Sequence, residues 1–224
     1  MPSPTLRVED SFTGSNKGTN MAFSEYYGYT INQLREVFNI VVKHDDLFAT
    51  LKHSEKKYAD LQSRLNNSIL RIKSVTADNE ATRKGLLVTP VISEACFIYD
   101  LGIFLEKELS VPKDKTPELP HPLNGNCDYA ISMDIFDFTC PVISVIEAKP
   151  SELSKGIGQC LSELIATLKI FPDQNKVYGI ITDGEIWEFM LLKENTLTLD
   201  DKNYHVSHVT DIIDRIEHIV QQFK

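Results

Sequence analysis

Asp128, Glu147 and Lys149 are the residues of this chain whose types and spacing can do chemistry. They lie in CDYAISMDIFDFTCPVISVIEAKP, residues 127–150, which reads as a strand, a loop and a second strand. Side chains alternate along a strand, so Glu147 and Lys149 project together from the end of VISVIEAK while Ala148 points the other way. If CDYAIS pairs antiparallel with VISVIEAK, Asp128 arrives at that same end, because the connecting loop lies at the opposite one. Two carboxylates and an ammonium then gather within a few ångströms.

Such a cluster suits phosphodiester hydrolysis. Two carboxylates and a backbone carbonyl, here Asp128, Glu147 and the carbonyl of Ala148, can hold Mg²⁺ or Mn²⁺, which favour oxygen ligands. A metal there lowers the pKa of a bound water and screens phosphate charge. Lys149 beside it can orient or deprotonate that water, a role closed to arginine, which keeps its proton. The plain alternative is an ion pair at a strand end. Three features of context favour the chemical reading: the E-x-K ends an apolar strand, an Asp begins the preceding strand, and a helix follows at once.

The elements that must position these residues can be read from periodicity. Residues 1–22 are polar, rich in Ser, Thr, Gly and Asn, and read as a disordered N-terminus. Residues 23–76 read as a helical N-terminal extension, with INQLREVF as a helix, a possible strand after it, and a longer helix from about Leu51 to Ser74. That longer helix carries Lys52, Lys56, Lys57, Arg64, Arg71 and Lys73 against only Glu55 and Asp60. It is either a solvated face or a phosphate-contacting surface. NEATRKGLLVTPVISEACFIYDLGIFLEKEL reads as one or two helices kinked or divided at Pro90, and KDKTPELPHPLNGN as a loop. SELSKGIGQCLSELIATLKIF reads as an amphipathic helix with Ser151 as its N-cap. VYGIITDGEIWEFMLL is a hairpin turning at Asp183-Gly184, with Trp187 and Phe189 on one face as core aromatics or, in the alternative reading, a base-stacking platform. SHVTDIIDRIEHIVQQF closes the chain as a helix covering the sheet or serving as a dimer face. The fold class is α/β, a mixed central sheet flanked by helices, with residues 77–224 as the main domain.

Composition bounds the rest. With 224 residues, 42% of them hydrophobic, the chain can bury a sizeable core. The net charge of -9 argues against a protein that coats nucleic acid, though not against a local basic face or a metal-filled acidic site. The four cysteines show neither CxxC spacing nor a Cys/His cluster and read as free thiols of a reducing compartment. No secretory or membrane-spanning run is present, so the chain reads as intracellular, cytoplasmic or, in a eukaryote, nuclear. The six histidines complete no zinc set, and KGIG lacks the pattern of a phosphate loop.

The order helix, strand with Asp128, strand with Glu147 and Lys149, helix with Gln159 resembles the PD-(D/E)xK nuclease superfamily, the restriction-endonuclease-like fold. NEATRKGLLVTPVI is similar to the first helix of the nuclease domain in the motor subunit of type I restriction enzymes. CDYAIS, VIEAK, GQCLSELIA and YGIITDGEIWEF resemble the core of a group of uncharacterised bacterial proteins. The likeness spans residues 80–192 and, more faintly, FNIVV and DDLF upstream. It implies Asp128 and Glu147 as metal ligands, Lys149 as the catalytic lysine and Gln159 as the helical glutamine, with Glu163 one turn further on. The glutamate of the first helix is best matched by Glu80, then by Glu94. Cys127 stands where the pattern has proline, and Gly85 where some relatives carry an acid. The resemblance further implies Mg²⁺ or Mn²⁺, a DNA substrate and a possible homodimer. RNA stays open, since that choice rests on contacts to the 2′-OH. So does a second class of function, a non-catalytic nucleic-acid-binding or assembly module that retains the nuclease fold.

Overall fold

The structure, a computed structural model, describes residues 22–74, 78–148 and 152–224. The α/β expectation holds: a seven-stranded mixed sheet carries helices on both faces. Its strands run β1 (Val41–Asp45), β2 (Gly102–Ser110), β3 (Asn124–Ser132), β4 (Val142–Ala148), β5 (Lys176–Thr182), β6 (Ile186–Lys193) and β7 (Thr196–His205). The helices are α1 (Ile31–Phe38), α2 (Ala59–Ser74), α3 (Glu80–Arg83), α4 (Thr89–Tyr99), α5 (Leu153–Ile170) and α6 (Val209–Gln221). Across the sheet the order is β1-β7-β6-β5-β4-β3-β2. β1 pairs with β7, and β4 with β5, in parallel; the other neighbours are antiparallel.

Both faces of the central strands are buried, which is why they read as nearly continuous apolar runs. On one face α2, α4 and α6 press Leu61, Leu65, Val91, Ile92, Ile212 and Ile216 against Tyr129, Ile131, Ile146, Ile180, Trp187 and Phe189. On the other, α1, α5 and a 3-10 turn at Ala22–Tyr26 pack Phe23, Tyr26, Leu34, Leu161 and Leu164 against Ala130, Ile181, Met190 and Leu192. Each fully buried Leu, Ile or Phe contributes about 1.5–3 kcal/mol, so the two layers hold the sheet from both sides. Gly158 allows the closest approach in the second layer: a Cβ there would lie 2.2 Å from the Tyr26 carbonyl oxygen.

Several elements differ from the sequence reading. The segment Leu51–Tyr58 is not helical; α2 starts at Ala59, and the backbone N–H of Ser54 is instead taken by the buried Asp214 carboxylate at 3.0 Å. LGIFLEKEL is not helix. Asp100 adopts φ 55, which ends α4, and residues from Gly102 pair with β3 as an edge strand. β3 itself begins at Asn124, inside the stretch read as loop. β7, with its TLTL alternation, is a further strand. Residues 23–76 are no separate appendage: β1 joins the sheet, and Phe48, Leu61, Leu65 and Ile72 share one core with Leu87 and Trp187. The boundary near residue 77 and the disordered segment 1–22 fall on or beside residues outside the description, as does the Ser151 cap. The N-cap position of α5 is held by Glu152 at φ 53, with no side-chain cap.

Pro90 does not interrupt the helical run. α3 runs through a π-helical turn at Lys84–Val88 into α4, and the Thr89 N–H reaches back to the Lys84 carbonyl. Proline lacks an N–H and crowds the carbonyl four residues earlier, so a widened turn just before it absorbs the misfit. Single π turns of this kind recur at functional sites.

Candidate functional site

The expected pairing of β3 with β4 is present. Tyr129 faces Ile146, Ala130 faces Val145 and Ile131 faces Ser144. The described pairing ends at Tyr129 and Ile146, and positions 128 and 147 are the next along the two strands at that end. On the other side of β4, Glu147 pairs with Ile181 and Ala148 with Thr182 of β5. The side chains of Glu147 and Ala148, and all of Lys149, lie outside the described residues. The antiparallel loop falls at the opposite end of the two strands, where Asp134 accepts hydrogen bonds from the Phe136 and Asp137 N–H groups and organises that turn.

Asp128 is buried at the start of this ladder, 8% exposed. Its Oδ1 accepts a hydrogen bond from Lys84 Nζ at 2.5 Å, and the same Nζ lies 2.7 Å from Glu80 Oε1. Glu80 and Asp128, forty-eight positions apart in the chain, thus converge on one cation. Burial alone would lower the Lys84 pKa; the bonds to Asp128 and Glu80 and their charges reverse this and hold it above the ordinary lysine range. Of the two glutamates named for the first helix, Glu80 is the one that meets the partner of Asp128. Glu94 faces elsewhere, 3.9 Å from Arg64 on α2.

Two devices hold this helix over the end of the sheet. The widened turn is pinned to β3: Thr89 Oγ1 donates to the Lys84 carbonyl at 2.8 Å and shares a 2.9 Å hydrogen bond with Tyr129 OH. Next to Lys84, Arg83 grips Asp78 with two bonds of 2.7 and 2.8 Å and donates to the Asp183 carbonyl at 3.1 Å. That carbonyl belongs to the β5–β6 turn. Gly184, at φ 89, sits under Leu87 so closely that a Cβ would lie 2.8 Å from the Leu87 Cβ. The turn is itself braced, since Asp183 Oδ1 accepts from the Glu185 and Ile186 N–H groups.

Gln159 is buried in α5 and donates through Nε2 to Glu163 Oε1 at 3.2 Å, one turn on, as their spacing predicts. The basic residues do not form one surface around the site. Lys73 meets Glu185, next to the β5–β6 turn, at 3.0 Å. Lys56 stacks over Tyr99 at the far end of α4, and Arg64 meets Glu94 between the two. Lys52, Lys57 and Arg71 are exposed.

Three residues here escaped the sequence reading. Lys84 looks like any surface lysine, and its spacing four after Glu80 is the one signal it offers. Arg83 carries no signal at all. Glu188 lies in the same cross-sheet row as position 147, opposite Ile181, and lines a cleft of about 240 Å³ with His44, Asp200, Lys202 and Asn203. Burial, and secondarily the charge of Asp183, raise its pKa above the usual glutamate value.

Asp128 and Glu80 bring two carboxylates together, the oxygen donors that a hard divalent cation takes. The carboxylates of Asp128 and Glu80 already share a cation between them, all oxygen ligands and no thiol. Among the described residues, no group of three or more His, Cys, Asp or Glu side chains is close enough together to hold a metal ion. Among them, too, no helix is long and apolar enough to cross a membrane. No family model matches the chain, and no curated protein matches it.

Proposed function

We propose that this chain is a metal-dependent nuclease-like protein of the restriction-endonuclease-like fold that hydrolyses phosphodiester bonds in DNA. The observation that supports this most is the β3–β4 pairing, which brings Asp128 and Glu147 to the same sheet end, where Glu80 also arrives. Asp128, Glu147 and the Ala148 carbonyl would hold Mg²⁺ or Mn²⁺, with Glu80 at the edge of the set. When bound, the ion acidifies a water and screens the phosphate. Lys149 would orient the attacking water and, as the neutral amine, could take up its proton. Gln159 contributes a polar contact from α5, and the basic residues Lys52, Lys56, Lys57, Arg64, Arg71 and Lys73 supply contacts to the phosphate backbone.

A second reading is a non-catalytic nucleic-acid-binding or assembly module. It is favoured by Lys84, whose ammonium already satisfies Asp128 and Glu80. Incubation of plasmid, linear and single-stranded DNA, and of RNA, with Mg²⁺ or Mn²⁺ separates the two. Cleavage abolished by Asp128→Ala and lowered by about 10²–10⁴-fold in Lys149→Ala supports the enzyme. Binding of nucleic acid without cleavage supports the module.

A further inference from the structure

We infer that Lys84 is a built-in counter-ion that occupies the metal position in the metal-free protein and must swing aside for a divalent cation to bind. This rests on the metal-dependent reading above and assigns its site a resident competitor. Lys84 Nζ sits between Asp128 Oδ1 and Glu80 Oε1 at 2.5 and 2.7 Å, a single cation shared by two carboxylates from separate elements. Asp128 is buried, where a carboxylate is costly without compensating partners, and Lys84 supplies positive charge at that point.

The way Lys84 is placed suits a movable charge. Its backbone is locked, since its carbonyl accepts from both the Thr89 N–H and Thr89 Oγ1, and Thr89 is in turn bonded to Tyr129. Its side chain is a flexible stem ending in a compact charge, and 19% of it remains open to solvent. Neighbouring Arg83 is built for the opposite purpose: its planar fork is fixed on Asp78 and the β5–β6 turn, so α3 stays in place when Lys84 leaves. The ammonium holds the two carboxylates together and lowers their affinity for any other cation by the work of displacing it.

Mn²⁺ binding to the full chain, followed by isothermal titration and by the electron paramagnetic signal of free Mn²⁺, tests this without reference to activity. Wild type is compared with Lys84→Gln, Lys84→Met and Asp128→Asn, each first checked for fold by circular dichroism. Both Lys84 variants are expected to bind Mn²⁺ about tenfold more tightly than wild type, or ~1.4 kcal/mol. Their thermal midpoints should rise more on adding Mn²⁺, because binding to the native state alone stabilises it. Asp128→Asn should bind more weakly. If wild type binds Mn²⁺ and both Lys84 variants bind equally or less well, the counter-ion role is overturned and the metal site stands. If neither wild type nor the Lys84 variants bind, both fall together. The two conservative variants guard against one of them failing to fold.

Discussion

Thr89 Oγ1 and Tyr129 OH lie 2.9 Å apart, and this one hydrogen bond fastens the widened turn that carries Lys84 to the strand that carries Asp128. It links the helical layer to the sheet at the point where the candidate site is assembled. Tyr129→Phe should cost about 0.5–1.5 kcal/mol of stability in urea unfolding, the usual net worth of one such bond, and Thr89→Val more, since it also removes the bond from Thr89 Oγ1 to the Lys84 carbonyl. In the double variant the loss should be close to that of Thr89→Val alone, because Tyr129→Phe removes nothing that Thr89→Val has not already removed from this bond.

The second layer depends on a missing side chain. Since a Cβ at residue 158 would meet the Tyr26 carbonyl oxygen at 2.2 Å, Gly158→Ala must push the Ala22–Tyr26 turn away from α5. A loss of about 1–3 kcal/mol is expected, typical of overpacking. Equal stability of the variant and wild type would show that the turn shifts at no cost.

Arg83 positions the site without belonging to it. Arg83→Ala removes both bonds to Asp78 and the bond to the Asp183 carbonyl, and should lower the melting midpoint. Arg83→Lys should recover little of this, because an ammonium cannot span Asp78 in two bonds and reach the turn as well. Thermal melts of the three proteins check both statements.

Much of this was legible in the chain, and the exceptions have physical causes. The β3–β4 pair reads clearly because apolar alternation and two acids at matching ends leave one register that buries the right faces. The DG turn and the buried Trp187 and Phe189 follow from equally local rules. β2 was hidden because Glu106, Lys107 and Glu108 are good helix formers on an edge strand, where one side of the ladder meets solvent. Leu51–Tyr58 read as helix because nothing nearby in sequence announces that Asp214, 160 residues on, captures the Ser54 amide. Lys84 was missed for a related reason: its partner Asp128 lies 44 residues away, and only the π turn before Pro90 brings them together.

Glu188 supplies a pH dependence. Its pKa is raised in the folded protein, by burial first and by Asp183 second, so the native state holds that proton more tightly than the unfolded chain does. Stability contributed by the neutral carboxyl is present below the ordinary glutamate range and is lost as pH rises through the higher folded value. Glu188→Gln should therefore melt higher than wild type at pH 7.5, and the gap should narrow near pH 4. A gap that is the same at both values would place the charge of Glu188 in solvent.

The central claim is that the sheet end bearing Asp128 and Glu147 hydrolyses phosphodiester bonds with a bound divalent ion. Its most direct test is conversion of supercoiled plasmid to nicked or linear DNA, with Mn²⁺ or with a chelator, by wild type and by Glu147→Gln of matched fold. The account predicts cleavage by wild type that needs the metal and disappears in Glu147→Gln. Cleavage that survives the chelator, or that Glu147→Gln carries out as fast as wild type, would contradict it.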